Sequence, residues 1–297
     1  MVRSSEYLKI YRDENTPDYV LGTTGTTLLK GLNEPRGVFP DELLNVCGNG
    51  LLCAFNVKTL GVERGLGMER ADIGRMFFIL ESGADFEAAK QMKAYMRDQF
   101  SFLGIATPRR RKFCEDFLRA AASQEMDWRF VEQCWARTHR EFQYLGVDYL
   151  GVMKDKLSPP DIPKLERIAV AKSWWDTIDG LDRVVGHIAL AYPETNEVIL
   201  EWSAGENVWL RRIAIDHQLA RKEMTDTALL ERVILNNLGQ KEFFINKAIG
   251  WSLREYSKTN PAWVKDFIER NEKGLSRLSV REASKHLTRA EPEPKLA

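Results

Sequence analysis

The chain has 297 residues, of which 44% are hydrophobic and 29% charged, and its 43 basic side chains balance its 43 acidic ones. This composition is typical of a soluble globular protein with one large or two small domains. Because the net charge is close to zero, a surface that binds nucleic acid has to be a local feature and not a property of the whole chain.

Cysteine, hydropathy and targeting patterns exclude further classes. The four cysteines lack CxxC spacing and the four histidines are scattered, which argues against a zinc site and a disulfide framework. No apolar run approaches the roughly 18 residues of a membrane span, and the amino terminus lacks the layout of a signal peptide. We therefore expect a cytoplasmic protein with no membrane partner.

Residues 1–80 are rich in glycine and turn-forming residues and show weak helical periodicity. The stretch GTTGTT at 22–27 lacks the GxxxxGK[ST] pattern of a phosphate-binding loop, so we interpret it as a turn. We predict an irregular, poorly ordered amino-terminal appendage over 1–80, whose role the sequence does not indicate. Residues 81–290 form the main domain in this interpretation, and 291–297 form a carboxy-terminal tail.

From about residue 83 onward the apolar residues recur at helical spacing, and strand-like alternation is nearly absent. This pattern predicts an all-α domain with short polar connections. The predicted helices cover residues 85–99, 108–123, 127–137, 139–155, 161–171, 174–191, 207–221, 226–238, 241–258 and 261–271.

A repeat of 35 residues runs through this region. Trp174, Trp209 and Phe244 each begin a predicted helix that is followed by a second one. Helix pairs at this period are typical of an α-solenoid of the HEAT or armadillo kind, in which stacked pairs leave a long concave surface.

The segment SWWDTID at 173–179 combines a predicted helix start with a candidate site. Ser173 is predicted as the N-cap and Asp176 as its partner in a capping box. Trp174 falls on the apolar stripe, whereas Trp175 and Asp179 lie together on the flank of that stripe. A capped helix that carries an incidental acid explains this pattern equally well.

Trp251 lies opposite the apolar stripe of its helix, and Lys247, Arg254 and Lys258 flank it at helical spacing. A tryptophan among cations on a polar face favours binding of a polyanion. Arg212 lies at the margin of the preceding apolar stripe, where it is either a phosphate clamp or a solvated helix charge.

Six segments together closely resemble the HEAT-like-repeat DNA alkylation-repair glycosylases of the AlkD type, over about residues 84–288. These segments are MKAYMRDQFSFLGIATPRRR, REFQY, KSWWDTID, NVWLRRIAI, KEFFINKAIGWSLREYSKTNP and LSVREASKH. The resemblance implies an α-solenoid with a concave DNA-binding face. It also implies removal of N3- and N7-alkylated purines, such as 3-methyladenine and 7-methylguanine, from duplex DNA.

The resemblance further implies roles for individual residues. Asp179 matches the catalytic aspartate, Trp175 and Trp251 match the two active-site tryptophans, and Arg212 matches a phosphate-contacting arginine. Tyr95 matches a tyrosine near the lesion, and the three cations around Trp251 are candidate DNA-binding residues.

From the same resemblance we expect a reaction without base flipping that needs no metal or organic cofactor. The expected protein is a monomer, bacterial and associated with the nucleoid. The alternative prediction is a HEAT-repeat scaffold that binds DNA or a protein partner without catalysis.

Overall fold

The computed structural model describes residues 8–12, 19–23, 46–47, 50–51 and 70–289. Its internal contacts divide the chain into two compact units, residues 1–64 and 65–297. The described residues of the first unit form two antiparallel hairpins, in which β1 (Leu8–Arg12) pairs with β2 (Tyr19–Thr23) and β3 (Val46–Cys47) pairs with β4 (Gly50–Leu51). The turn predicted at 22–27 overlaps the end of β2 and otherwise lies outside the described residues, as does most of the segment predicted to be poorly ordered.

In the second unit, the described residues form thirteen α-helices, and the predicted all-α class is confirmed there. The helices are α1 (Arg70–Ser82), α2 (Phe86–Tyr95), α3 (Thr107–Ala121), α4 (Trp128–Ala136), α5 (Arg140–Met153), α6 (Ile162–Val170), α7 (Trp175–Ala191), α8 (Asn196–Ala204), α9 (Val208–Asp216), α10 (Thr227–Leu235), α11 (Phe243–Tyr256), α12 (Pro261–Arg270) and α13 (Arg277–Ala283).

All ten predicted helices are present within a few residues of their predicted bounds, and the structure adds α1, α8 and α13. Helix α13 has only 7 residues, which is too short for a clear periodicity. None of the described helices has the length and hydropathy that a membrane crossing requires.

Helix α1 belongs to the helical unit although the sequence grouped it with the appendage. Its residues Ile73, Met76, Phe77 and Leu80 are all buried in the same core as the later helices. The unit therefore begins before the predicted boundary at residue 81. Its four core residues follow the helical spacing i, i+3, i+4 and i+7, so the sequence contained a usable signal that was overlooked because the preceding stretch is rich in glycine.

Polar side chains at the N-cap positions help determine where several of the helices begin. The side chains of Asp85, Asp127, Asn207, Asp226 and Asn260 each accept a hydrogen bond from a backbone N–H in the first turn of the following helix. These bonds satisfy donors that have no partner within the helix.

The helices form two layers. Helices α3, α5, α7, α9, α11 and α13 pack side by side in that order, and α4, α6, α8 and α10 cover them. This alternation is the architecture of an α-solenoid, as the 35-residue repeat predicted. The three aromatic residues that define the repeat contact one another, with ring centroids 5.6 Å apart for Trp174 and Trp209 and 5.0 Å apart for Trp209 and Phe244.

A glycine permits the close approach of α7 and the end of α9. A Cβ atom at Gly186 would lie 2.0 Å from the carbonyl oxygen of His217, so a larger side chain has no space there. The same contact includes a hydrogen bond of 2.6 Å that Arg221 Nη2 donates to the carbonyl of Gly186. Helix α7 is therefore held against α9.

We expect Phe77→Ala to reduce the free energy of unfolding by about 3–5 kcal/mol, because it empties a closely packed part of the core. The ring of Phe77 stacks on Phe130 at 6.0 Å and meets the edge of Phe142 at 5.2 Å. Urea denaturation measures the difference. The adjacent Phe78 is 44% exposed, and its replacement by alanine is the matched control, with an expected loss of about 1 kcal/mol or less. Equal losses in the two variants would mean that α1 is not part of the core.

Candidate functional site

A groove of about 740 Å³ lies along the surfaces of α2, α3, α5 and α7. Three of the residues predicted to form the site, Tyr95, Trp175 and Asp179, line this groove. The structure therefore brings together side chains from two helices that are about 80 residues apart in the chain.

Tyr95 and Trp175 present their rings at the groove surface. Tyr95 is 72% exposed at the end of α2, and Trp175 is half-buried at the start of α7. The rings meet edge to face, with centroids 6.2 Å apart. This is a favourable aromatic geometry that leaves part of each π face open to a ligand.

Asp179 is held by Arg212 from the next helix of the same layer. Its Oδ1 atom lies 2.8 Å from both Nε and Nη2 of Arg212. Burial raises the pKa of Asp179, and the guanidinium opposes that rise. The carboxyl remains 19% exposed, and no donor among the described residues bonds its Oδ2 atom.

Arg212 is buried and not at the surface margin where the sequence placed it. Its side chain is 3% exposed, and Nη1 donates a hydrogen bond of 2.7 Å to the carbonyl of Phe244. Burial acts to lower the pKa of Arg212, but its acidic neighbours, among them the Asp179 carboxylate hydrogen-bonded to it, outweigh burial and raise it. The guanidinium is thus a permanent cation behind Asp179, and its contact with a DNA phosphate stays a prediction.

Trp251 lies near this guanidinium and, unlike Trp175, is not among the residues that line the groove. The Arg212 guanidinium carbon is 5.6 Å from the Trp251 ring centroid, and Lys247 Nζ and the Arg254 guanidinium carbon are each 5.7 Å from it. The half-buried indole is therefore surrounded by three cations, as expected, but with Arg212 in place of Lys258. Lys258 is exposed and pairs with Glu255.

Glu282 of α13 holds two of these cations in place. Its carboxylate accepts hydrogen bonds from Lys285 at 2.7 Å and from Arg254 at 2.8 Å, and it forms an ion pair with Lys247 at 2.9 Å. Lys285 and then Lys247 lower the pKa of Glu282 to about 2, against the opposing effect of burial. Lys247 and Arg254 are consequently fixed beside Trp251 and are not freely mobile charges.

The predicted capping box at the start of α7 is wrong. The N-cap residue is Trp174, which makes no side-chain capping bond, and the Ser173 hydroxyl donates to the carbonyl of Ala169. Asp176 instead accepts hydrogen bonds of 3.0 and 2.6 Å from Arg140 and one of 2.6 Å from Tyr144. Asp176 is structural, as expected, but its partners lie on α5 and not on its own helix.

Buried arginines that the sequence did not reveal neutralise the other acids of the groove. Arg110 pairs with Asp148, and Arg140 pairs with Asp176. Arg110 lies between the exposed Arg109 and Arg111, and Arg140 lies at the first position of a helix, so sequence alone cannot separate either one from solvated residues.

The groove also has cations that pair with none of the described carboxylates. Arg111 and Arg183 are exposed and Lys154 is half-buried, and all three line the groove. With Asp148, Asp176 and Asp179 each paired to an arginine, the groove surface carries a net positive charge.

Two buried acids, Asp182 and Asp216, complete the surroundings of Arg212. Each is 1% exposed, and their carboxyl oxygens lie within 4.8 Å of one another and of Asp179. The sequence contained a usable signal, because Asp182 and Asp216 both occur within apolar stripes at helical spacing.

The two layers of paired helices and the groove along one of them define an α-solenoid of HEAT-like repeats. Residues 79–287 match the sequence model of a family described as DNA alkylation repair enzyme. The chain belongs to this family.

A solved structure agrees with this assignment. The chain is similar to a protein described as a predicted DNA alkylation repair enzyme from Enterococcus faecalis, with 35% sequence identity and a TM-score of 0.65. The similarity covers 70% of this chain and 98% of that one. No curated protein matches the chain.

We expect Asp176→Ala to lower the free energy of unfolding by about 3–5 kcal/mol, because it leaves the fully buried guanidinium of Arg140 without its counter-charge. Urea denaturation at neutral pH measures the loss. Asp155→Ala is the control, since that carboxyl is 75% exposed and its pair with His187 contributes about 1 kcal/mol or less. A loss as small as that of the control would show that Asp176 is dispensable for the fold.

Proposed function

We propose that this chain is a DNA glycosylase that hydrolyses the N-glycosidic bond of N3- and N7-alkylated purines in duplex DNA. The observation that supports it most is the position of Asp179, a partly exposed carboxylate in the wall of a cationic groove. A buried guanidinium holds this carboxylate from behind, and Trp175 lines the same groove.

The chemistry of the substrate explains why such a site is sufficient. An N3- or N7-alkylpurine already carries a positive charge, so the base leaves as a neutral molecule when the electron pair of the C1′–N bond moves onto it. Positive charge then develops on the deoxyribose, and an ionised Asp179 stabilises it electrostatically. Water bonds to C1′ to complete an abasic site, and Asp179 orients that water and accepts the released proton.

The arrangement around Asp179 fits this role. Both close contacts with Arg212 end on Oδ1, which leaves Oδ2 for the water or the sugar. Arg212 holds the carboxylate before the substrate arrives, so little reorganisation is needed during the reaction. The π faces of Trp175 and Trp251 attract a sugar that is becoming cationic.

The groove is an open surface and not a closed cavity for one base. A glycosylase that flips its substrate needs an enclosed pocket for the extruded nucleotide. In the proposed reaction the base stays in the stack, and the groove surrounds the backbone at the lesion. Such a site places little limit on the size of the alkyl group.

We expect Asp179→Asn to reduce single-turnover release of 7-methylguanine from methylated duplex DNA by about a hundred- to a thousandfold, which corresponds to about 3–4 kcal/mol of transition-state stabilisation. Chromatography of the released base measures the rate. DNA affinity should change little, because the substitution removes no cation. Asp116→Asn, at a carboxyl that is 94% exposed on α3, is the control with an unchanged rate.

An unchanged rate in Asp179→Asn would remove this residue from the mechanism. If the wild-type chain binds DNA but releases no base, the alternative of a non-catalytic DNA-binding scaffold holds instead. The scaffold that binds a protein partner predicts neither base release nor binding to duplex DNA.

We expect Arg111→Gln and Arg183→Gln each to weaken binding to duplex DNA and to make its salt dependence shallower. The loss of one phosphate contact lowers the slope of log K against log salt by about 0.9. Fluorescence anisotropy of a labelled duplex across a series of KCl concentrations measures both quantities. Lys112→Gln is the matched control on α3, because Lys112 is 81% exposed, pairs with Glu115 and does not line the groove. Slopes equal to that of the control would place the DNA backbone elsewhere.

A further inference from the structure

Three carboxyl groups share one guanidinium beneath the groove. Asp179 and Asp182 come from α7 and Asp216 from α9, and one oxygen of each lies within 4.8 Å of the others. Arg212 Nη2 lies 2.8 Å from Asp179 Oδ1 and 3.8 Å from Asp216 Oδ2. Three carboxylates this close are typical of a metal site, but the guanidinium already lies against two of them as the cation.

The charges of this cluster do not balance if every acid is ionised. Three carboxylates and one guanidinium sum to two negative charges, and Asp182 and Asp216 are each only 1% exposed. Unpaired charge in such surroundings costs several kcal/mol per ion, which is more than one shared cation offsets. Two bound protons restore neutrality.

The neighbouring charged groups do not supply the positive charge that would neutralise three ionised carboxylates. Arg183, the one arginine of α7, is exposed and lines the groove, and Lys247 and Arg254 of α11 are bound by Glu282. Among the described residues, those of α6, α8 and α10 form no ion pair with Asp182 or Asp216. His217 is buried and neutral, since burial and then Arg221 lower its pKa to about 3.

The hydrogen bonds of the cluster also indicate that Asp182 and Asp216 are protonated. Asp182 Oδ1 and both carboxyl oxygens of Asp216 are buried without a hydrogen-bond partner. Buried polar atoms are nearly always paired, and an ionised carboxylate has only acceptors. A protonated carboxyl adds an O–H donor that the ionised form lacks.

The geometry also selects which acids hold the protons. Asp179 lies 2.8 Å from two guanidinium nitrogens and is partly exposed, so its ionised form is stabilised. Asp182 and Asp216 receive no hydrogen bond from this guanidinium. Burial raises the pKa of Asp182 to about 8 and raises that of Asp216 well above its usual range.

We propose that Asp182 and Asp216 are positioning residues that keep their protons, so that of the three carboxyls Asp179 alone carries the negative charge paired with Arg212. As neutral acids they surround the guanidinium without drawing it away from Asp179. This role in positioning rests on the proposed function of Asp179, whereas the protonation itself does not.

The protonation is tested by infrared difference spectroscopy of the full chain at neutral pH. We expect the wild type minus Asp216→Asn spectrum to contain the carbonyl stretch of a protonated carboxyl, and likewise for Asp182→Asn. Asp155→Asn, at an exposed acid, is the control and should show only loss of an ionised carboxylate. Carboxylate bands in place of the carbonyl band in the two buried variants would overturn the proposal.

Thermal unfolding against pH gives an independent measure. A carboxyl with a raised folded-state pKa contributes stability that is complete below its unfolded pKa of about 3.9 and is lost as pH rises through the folded value. We therefore expect the Tm of the wild type to fall between pH 6 and pH 8, and to fall less steeply in Asp182→Asn. An identical slope in the two proteins would contradict a bound proton at Asp182.

Positioning is tested by comparing an amide with a truncated side chain, since asparagine has the shape of a neutral aspartic acid. We expect Asp216→Ala to slow single-turnover base release about tenfold to a hundredfold through displacement of Arg212, with DNA affinity retained. Asp216→Asn should recover most of that loss. Equal losses in the two variants would mean that Asp216 acts as an anion. If the wild type itself releases no base, the proposed function fails, while the infrared and thermal results still decide the protonation.

Discussion

Ion pairs between buried arginines and carboxylates on neighbouring helices are the interaction on which this structure depends. Arg110 joins α3 to Asp148 on α5, Arg140 joins α5 to Asp176 on α7, and Arg212 joins α9 to Asp179 on α7. Each arginine is 5% exposed or less, so none can leave its carboxylate without a large cost in desolvated charge. The same constraint that aligns successive repeats therefore also fixes the carboxylates that face the groove.

This arrangement gives the groove its charge. Because a buried cation neutralises each of the three acids from behind, the cations on the groove surface are left to attract an anionic ligand. The acids nevertheless differ in what they can do. Asp176 receives bonds from Arg140 and Tyr144 and is 6% exposed, whereas Asp179 is 19% exposed and keeps one oxygen without a donor among the described residues. Burial and hydrogen bonding thus separate a structural acid from a candidate catalytic one only three residues away on the same helix.

Membership in a family of DNA alkylation repair enzymes and the geometry of the site are two independent observations, and both are consistent with the proposed function. The family match covers residues 79–287 and places the chain among proteins described as DNA alkylation repair enzymes. The proposed bond cleavage depends instead on the open carboxylate oxygen, the two indoles and the cationic groove. The buried acids around Arg212 add a condition to that mechanism, because the charge on Asp179 depends on where the protons of its neighbours are.

The sequence alone determined the helical class, ten of the helices, the 35-residue repeat and the pairing of Trp175 with Asp179 on one helix flank. These features are local, since periodicity and side-chain chemistry within a few turns are enough to produce them. The tertiary structure decided the rest. The partners of Asp176 and Asp179 lie 36 and 33 residues away in the chain, and only the packing of successive repeats brings those groups together. The burial of Arg212, Asp182 and Asp216, and hence which acid carries charge, follows from that packing because a charge is stabilised or neutralised by the groups around it in space and not by its neighbours in the chain.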